Sequence, residues 1–202
     1  MIKLYGSPLS TCTRKVLMTL AETSTPYEMN VVDFATGAHK KEPHISRQPF
    51  GRIPAIDDEG FELFESRAIA RYIAEKAKSP LIPADIHARA KMEQWISIET
   101  SELATHAMKF VYEHTFKRKQ EQSVLDAATA SLVTTLKVMN DQLAKTPFVS
   151  GEAFTIADIG FMPYLEYVMA SPAKALVAPY ERVAAWWEKI RARPTWQKVI
   201  GK

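Results

Sequence analysis

Two prolines with two residues between them, Pro80 and Pro83, separate two parts of the chain that differ in hydrophobic periodicity. A proline has no backbone N–H and disfavours a helical conformation in the residue before it, so this segment ends the preceding helix and keeps the chain extended. Before the prolines, strand-like and helix-like periods alternate, and after them almost every segment has the helical period. We therefore predict a mixed α/β domain over residues 1–78, a linker over residues 79–86 and an all-helical domain over residues 87–202.

The mixed domain is predicted to contain strands and helices in the order β-α-β-α-β-β-α. Short apolar runs indicate strands, and apolar residues at i, i+3 and i+4 indicate helices. The predicted strands cover residues 2–5, 27–32 and two stretches within residues 53–64, and the predicted helices cover residues 10–22, 38–46 and 65–77. The last two strands can close as an antiparallel hairpin, whereas parallel strands need helical crossovers.

The second part of the chain is predicted to be helical throughout, including a helix over residues 125–143 and a last helix over residues 180–192 that Pro194 ends. Thr155 followed three residues later by Asp158 matches a capping box, with Asp in place of the usual Glu. A helix should therefore begin after Thr155.

Composition and charge exclude several classes of protein. The 26 Lys and Arg against 23 Asp and Glu give a net charge of only +3, which argues against a nucleic-acid partner. The richest apolar stretch, residues 156–170, is interrupted by polar residues and a proline, and the first ten residues do not resemble a targeting signal. We therefore expect no membrane partner and no cleaved leader. The five histidines lack a ligand spacing, so no metal site is predicted.

The single cysteine, Cys12, cannot form an intrachain disulfide, which favours a reducing, cytoplasmic location. It shares one helical line with Val16 and Leu20. We therefore expect a small buried core residue and not a nucleophile.

Ser10 lies between a glycine-containing turn and the first predicted helix. Serine is a good N-cap because its oxygen accepts a hydrogen bond from a free N–H at the helix start. The same position suits a hydroxyl that stabilises a ligand anion, since the unpaired amides and the helix macrodipole also favour negative charge. The residues alone leave both interpretations open.

Two further segments carry groups suited to a peptide-like ligand. Pro54 begins a predicted strand, and a cis bond there would leave the N–H and C=O of Ile53 free for an extended ligand, although an ordinary loop-to-strand proline is the alternative. Glu65 and Ser66 stand at the start of a predicted helix, where Ser66 could hold a carboxylate and Glu65 an ammonium group. Together these charges describe an α-amino acid, but an ordinary acidic helix start explains the same residues.

Four segments resemble the signatures of one enzyme family: Tyr5-Gly-Ser-Pro-Leu-Ser-Thr-Cys-Thr-Arg-Lys-Val, His39-Lys-Lys-Glu-Pro, Gln48-Pro-Phe-Gly-Arg-Ile-Pro-Ala and Leu63-Phe-Glu-Ser-Arg-Ala-Ile. With these motifs in register, the whole chain resembles the glutathione S-transferase family, in particular its phi-like class. The resemblance implies a thioredoxin-like N-terminal domain followed by an all-helical domain. It also implies an enzyme with glutathione as co-substrate and no other cofactor.

The resemblance further implies roles for the motif residues. Ser10 would donate a hydrogen bond to the glutathione sulfur, and the backbone of Ile53, before a cis Pro54, would pair with the cysteinyl part. The remaining contacts would come from Glu65 and Ser66 at the γ-glutamyl end and from His39 and Lys40 near the glycine carboxylate.

Arg52 departs from the family pattern, which commonly has Gln at this position. A guanidinium can only donate hydrogen bonds, whereas an amide also accepts them. Arg52 is still expected in the glutathione site, because glutathione carries two carboxylates. The family also implies a homodimer, with Phe50 and the helix over residues 66–72 in the contact.

The resemblance implies a second, apolar site for an electrophile, to which the candidate residues are Leu9, Phe34, Phe110, Val111 and His114. Residues of this type are also common in ordinary packing. The predicted function is conjugation of the glutathione thiolate to small apolar electrophiles, such as occurs in detoxification. Reduction of organic hydroperoxides by the same thiolate and non-catalytic ligand binding are the alternatives.

Overall fold

Four strands near the start of the chain form one sheet: β1 (Ile2–Gly6), β2 (Tyr27–Val31), β3 (Ala55–Asp58) and β4 (Phe61–Phe64). The computed structural model describes all residues, 1–202. The strand order is β2-β1-β3-β4, with β1 parallel to β2 and antiparallel to β3, and with β3 antiparallel to β4. Together with α1 (Thr11–Glu22), α2 (His44–Arg47) and α3 (Ser66–Lys76), these strands confirm the predicted β-α-β-α-β-β-α order.

The hydrophobic core of this sheet lies against α1 and α3. Leu4 and Ile56 of the sheet, Val16 of α1 and Ile69 and Ile73 of α3 are each at most 1% exposed and belong to one cluster. The two α3 residues are four positions apart and therefore lie on one face of the helix. Burial of each such side chain contributes about 1.5–3 kcal/mol, so the cluster fixes both helices on the sheet.

The prediction of one continuous helix over residues 38–46 is wrong, because the structure has two separate short helices there. The structure has a short 3-10 helix at Ala38–Lys40 and a separate α2, with a cis peptide bond between Glu42 and Pro43. Lys41 is extended, at φ −126° and ψ 162°. A proline cannot donate the helical hydrogen bond and disfavours the helical conformation of the residue before it, so the two pieces stay separate.

The residues group into two compact units. The N-terminal unit comprises residues 1–80 and 194–202, and the helical unit comprises residues 81–193. The helical unit contains α4 (Ile86–Ile98), α5 (Thr105–Phe110), α6 (Gln122–Leu143), α7 (Ile156–Met169) and α8 (Glu181–Arg191), with π-helical turns before and after α5. None of the helices combines the length and the apolar character that crossing a bilayer would require.

The helix α7 is the central helix of the helical unit, and every residue from Ile156 to Leu165 is buried. The predicted capping box at its start is confirmed: Thr155 is the N-cap, and the carboxylate of Asp158 accepts a hydrogen bond from the Thr155 N–H at 3.0 Å. The other oxygen of Asp158 accepts bonds from the Val149 N–H and the Trp186 Nε1–H, each at 3.1 Å. Despite these bonds, complete burial raises the pKa of the Asp158 carboxyl to about 6.

The end of the chain differs from the sequence-based prediction. Pro194 was expected only to stop the preceding helix, but it also begins a further helix, α9 (Pro194–Val199), because the first position of a helix does not use its N–H. Residues 194–202 were assigned to the helical domain, whereas the structure places them in the N-terminal unit. Trp196 is fully buried there and Val199 packs against the sheet core, so apolar burial explains the return of the chain.

Candidate functional site

Ser10 is the N-cap of α1, where its side chain accepts a hydrogen bond from the Thr13 N–H at 3.3 Å. The residue is extended, at φ −75° and ψ 129°, and half-buried. A hydroxyl has two lone pairs and one hydrogen, so a Ser10 oxygen that accepts this bond still has its hydrogen to donate. The two interpretations of Ser10, helix cap and donor to an anion, are therefore compatible in one geometry.

The turn that carries Ser10 packs closely on the end of β1. A Cβ added to Gly6 would lie 2.7 Å from the Oγ1 and 2.8 Å from the Cγ2 of Thr13, which is itself fully buried. Thr13 Oγ1 also accepts a hydrogen bond from the Ser7 N–H at 3.3 Å. The absence of a side chain at Gly6 therefore sets how closely the first turn of α1 approaches the sheet.

Cys12, the next candidate in the sequence, is half-buried and not a buried core residue as predicted. Its neighbours Val16 and Leu20 on the same helical line are buried. Thr11 and Thr13, on either side of Cys12 in the first turn of α1, are both buried, so Cys12 is the one of the three that lies partly at the surface.

The segment before β3 confirms the predicted cis bond between Ile53 and Pro54. Pairing of β3 with its neighbours begins at Ala55, and no hydrogen bond within the protein uses the N–H or C=O of Ile53. Arg52 is exposed, and its guanidinium carbon lies 5.9 Å from the centre of the Phe50 ring. The backbone of Ile53 is thus available to an extended ligand.

Two side chains hold this segment, one from α2 and one from the residue that caps its end, and the sequence analysis gave neither a role. His44 Nε2 donates to the Arg52 carbonyl oxygen at 2.7 Å, and Gln48 Oε1 accepts from the Arg52 N–H at 3.0 Å. Both side chains are buried, at 5% and 1% exposure. Their i, i+4 spacing on a polar stretch was the only signal in the sequence, and it does not reveal the partner.

His39 and Lys40 lie in the 3-10 helix, next to the same segment. A Cβ at Gly51, whose φ is +60°, would lie 3.2 Å from the His39 carbonyl oxygen and 3.3 Å from Lys40 Cγ. The structure therefore brings the predicted contacts for the glycine carboxylate close to the Arg52–Ile53 segment. His39 also stacks on Phe34, with ring centres 4.1 Å apart, and its Nδ1 is buried without a hydrogen-bond partner.

Glu65 and Ser66 lie at the N-terminus of α3, as predicted. Glu65 is exposed and has φ +71° and ψ 109°, a conformation that costs a residue with a side chain about 1–3 kcal/mol. Ser66 is the first residue of the helix and is 3% exposed. The backbone N–H groups of this first turn and the exposed carboxylate of Glu65 thus lie side by side.

The five candidates for the apolar site belong to different units. Leu9 and Phe34 lie in the N-terminal unit and are 60% and 51% exposed. Phe110 and Val111 lie in the helical unit at 7% and 1% exposure, which fits the packing role that the sequence left open. His114 is half-buried, with its ring centre 6.3 Å from that of Phe110.

A cavity of about 950 Å³ opens elsewhere on the N-terminal unit, between α1, the start of β2 and α9. It is lined by Leu9 but by none of the predicted glutathione residues. No group of three or more His, Cys, Asp or Glu side chains is placed to hold a metal ion.

Comparison with known proteins gives matches over both units. The model of the glutathione S-transferase N-terminal domain matches residues 1–75, and that of the C-terminal domain matches residues 122–188. Glutathione S-transferase PARB of Nicotiana tabacum is 36% identical over 208 residues, which cover 100% of this chain and 98% of the relative.

Two solved structures have the same fold. Glutathione transferase F2 from Populus trichocarpa matches with a TM-score of 0.95 at 34% identity, covering 100% of this chain and 98% of that chain. Glutathione S-transferase I from mais, in complex with an atrazine glutathione conjugate, matches with a TM-score of 0.92 at 30% identity, covering 99% and 96%.

Proposed function

Because this chain belongs to the glutathione S-transferase family, we propose that it joins the thiolate of glutathione to small apolar electrophiles, with Ser10 stabilising the thiolate. Like its relatives it is an enzyme with glutathione as co-substrate. The observation that carries the proposal is the Ser10 hydroxyl, which caps α1 and keeps a hydrogen to donate.

The chemical task of Ser10 is to favour the ionised form of the thiol. A free thiol has a pKa of about 8.5, so only a few per cent is thiolate near pH 7, although the thiolate is the nucleophile. Full ionisation therefore raises the rate by roughly thirtyfold, equivalent to about 2 kcal/mol. A hydrogen bond to a charged group contributes about 1.5–3 kcal/mol, and the N-terminus of α1 adds favourable electrostatics. Ser10 therefore suffices as a donor and need not act as a base.

The tripeptide is proposed to bind along the N-terminal unit. Ile53 would pair its free N–H and C=O with the cysteinyl residue, as a strand pairs with its neighbour. Ser66 and the first amides of α3 would hold the γ-glutamyl carboxylate, and the exposed Glu65 would hold its ammonium group. The cationic contacts to the glycine carboxylate would come from Lys40 and from Arg52, with His39 beside them.

The electrophile is proposed to be apolar because Leu9 and Phe34 are exposed on the unit that carries Ser10. The conjugate in the mais structure, which joins atrazine to glutathione, supports this substrate class. Of the candidates in the helical unit, His114 is the one that is partly accessible, and Phe110 and Val111 would act by supporting it.

Substitutions of Ser10 test the mechanism. We expect Ser10→Ala to lower kcat/KM for an aryl halide by roughly tenfold to thirtyfold near pH 7 and to raise the apparent thiol pKa. The affinity for glutathione, measured by calorimetry, should stay nearly unchanged. The difference from wild type should narrow above about pH 9, where the thiol ionises without help.

Matched variants separate the catalytic role of Ser10 from its role as a cap. Glycine is a tolerable N-cap and costs only a few tenths of a kcal/mol, so Ser10→Gly should lose activity as Ser10→Ala does but retain more stability. Ser10→Thr keeps a hydroxyl and should keep most of the activity. Wild-type kinetics in Ser10→Gly would refute the assignment of Ser10.

A substrate panel separates the alternatives. Turnover of organic hydroperoxides in preference to aryl halides would indicate the peroxidase reaction, which uses the same thiolate. Tight glutathione binding without any turnover would indicate a non-catalytic ligand-binding protein.

A homodimer and a cytoplasmic location remain proposals. Phe50 is 68% exposed and meets Phe64 edge-on, with ring centres 6.2 Å apart, which leaves a large apolar surface available to a second copy. Sedimentation velocity on wild type and on Phe50→Ala tests the dimer. The single Cys12 supports a reducing compartment.

A further inference from the structure

The backbone of Arg52 is held on both sides, by His44 of α2 and by Gln48, the residue that caps the end of this helix. The imidazole of His44 donates to its carbonyl oxygen at 2.7 Å, and the side-chain oxygen of Gln48 accepts from its N–H at 3.0 Å. His44 and Gln48 are one helical turn apart, and the Gln48 N–H also bonds to the His44 carbonyl at 2.9 Å. The two side chains therefore act on Arg52 from a single turn of the chain, which this backbone bond closes.

The His44 bond also determines the direction of the Ile53 N–H. The Arg52 carbonyl and the Ile53 N–H belong to one peptide unit, which is planar and trans, so the two groups point in opposite directions. When His44 fixes the carbonyl, it aims the Ile53 N–H to the other side of the chain. That N–H has no partner within the protein.

The chemistry of His44 is poorly explained by packing alone. A carbonyl oxygen only accepts, so Nε2 must carry the proton, and Nδ1 is then a buried nitrogen without a partner. Burial of such an unpaired polar atom is unfavourable, and an aromatic hydrocarbon ring would fill the same space without it. The bond to Arg52 is what the imidazole provides and a phenyl ring cannot.

We propose that His44 is a positioning residue for glutathione: it holds the Arg52–Ile53 peptide so that the Ile53 N–H is aimed at the substrate backbone before the substrate arrives. This inference rests on the proposed function, because it assumes that glutathione pairs with Ile53. Fixing the group in advance lowers the ordering required on binding, so the effect should fall on glutathione affinity.

The comparison of His44→Phe with His44→Gln tests the proposal. Phenylalanine keeps the ring and removes the donor, whereas the amide nitrogen of glutamine reaches the position of Nε2. We expect His44→Phe to raise both the dissociation constant and the KM for glutathione about tenfold, the effect of one lost hydrogen bond. Its kcat at saturating glutathione should stay within about twofold of wild type, because Ser10 is untouched, and His44→Gln should recover most of the affinity.

A stability control distinguishes positioning from general loss of structure. Ile73→Val removes one methylene from the core of the same unit, far along the sequence from α2, and should lower the melting temperature without raising the KM for glutathione. If His44→Phe does not fold, His44→Asn gives the same comparison with His44→Gln, because its shorter amide cannot reach the Nε2 position.

The outcomes are distinct. An unchanged dissociation constant in His44→Phe, no recovery in His44→Gln, or an equal loss of affinity in Ile73→Val would each overturn the role of His44. Absence of glutathione binding in the wild-type protein would instead overturn the proposed function.

Discussion

The contact between Gly6 and Thr13 predicts a specific energetic coupling. A Cβ at Gly6 would lie 2.7 Å from Thr13 Oγ1, whereas ordinary contacts of this kind are 3.4–4 Å, so the first turn of α1 must move by several tenths of an ångström. Overpacking of this size costs about 1–3 kcal/mol. Because Ser10 caps the same turn, we expect Gly6→Ala to lower both the free energy of unfolding and kcat/KM, the latter by roughly tenfold.

Removing the opposing side chain should relieve the clash. Thr13→Ala alone should cost about 2 kcal/mol, from one buried methyl group and the lost acceptor for the Ser7 N–H. In Gly6→Ala with Thr13→Ala, the nearest remaining side-chain atom is Thr13 Cβ at 3.3 Å, a tight but tolerable contact. The double variant should therefore lose about 1–2 kcal/mol less than the sum of the single variants.

Urea unfolding of the four proteins measures this coupling. Gly6→Ala combined with Thr19→Ala is the matched control, because Thr19 is buried on the same helix but almost two turns further on. That pair should be additive within about 0.5 kcal/mol. If the losses in the free energy of unfolding for Gly6→Ala and Thr13→Ala were also additive within about 0.5 kcal/mol, the argument that their contact positions α1 would be refuted.

Two other predictions concern the interior of each unit. Folding raises the pKa of Asp158 from 3.8 to about 6, so its stabilising contribution is complete below about pH 3.8 and is lost as the pH rises through about 6. The free energy of unfolding of wild type relative to Asp158→Asn should therefore fall by about 2–2.5 kcal/mol between about pH 4 and about pH 7, and a flat difference in denaturant titrations would contradict this. Trp196→Ala should lower the free energy of unfolding by about 3–5 kcal/mol, with the exposed Lys198→Ala as control, and a loss below about 1 kcal/mol would show that α9 contributes little.

Features that depend on neighbouring residues in the sequence were predictable. Ser10 and Thr155 are N-caps, as predicted, because the residue type and the adjacent helical pattern together define a cap. The cis bond before Pro54 was one of two open interpretations, and the family resemblance favoured it correctly. Proline at position 194 was ambiguous, since proline both ends one helix and begins another.

Features that depend on contacts between distant residues were not predictable from one sequence. The hydrophobic pattern of α9 predicts that Trp196 is buried but does not indicate in which unit. For this reason the last nine residues were assigned to the helical domain, although they belong to the N-terminal unit. His44 donates its hydrogen bond to the backbone carbonyl of Arg52. Because every residue has such a carbonyl, the residue type at position 52 does not indicate this bond. Phe110 and Val111 have the composition of a ligand site, and only their burial identifies them as interior residues.

The return of α9 to the N-terminal unit sets the order in which the chain can finish folding on the ribosome. At about 5–20 residues per second, synthesis of residues 81–193 takes roughly 6–23 s after the last strand and α3 have been made. During this interval the sheet core lacks the contact with Val199, and α1 lacks the hydrogen bond that Thr195 donates to Glu22. The nascent sheet is thus exposed to chaperones and to other nascent chains until the helical unit has been translated, so the part of the protein that is made first is completed last.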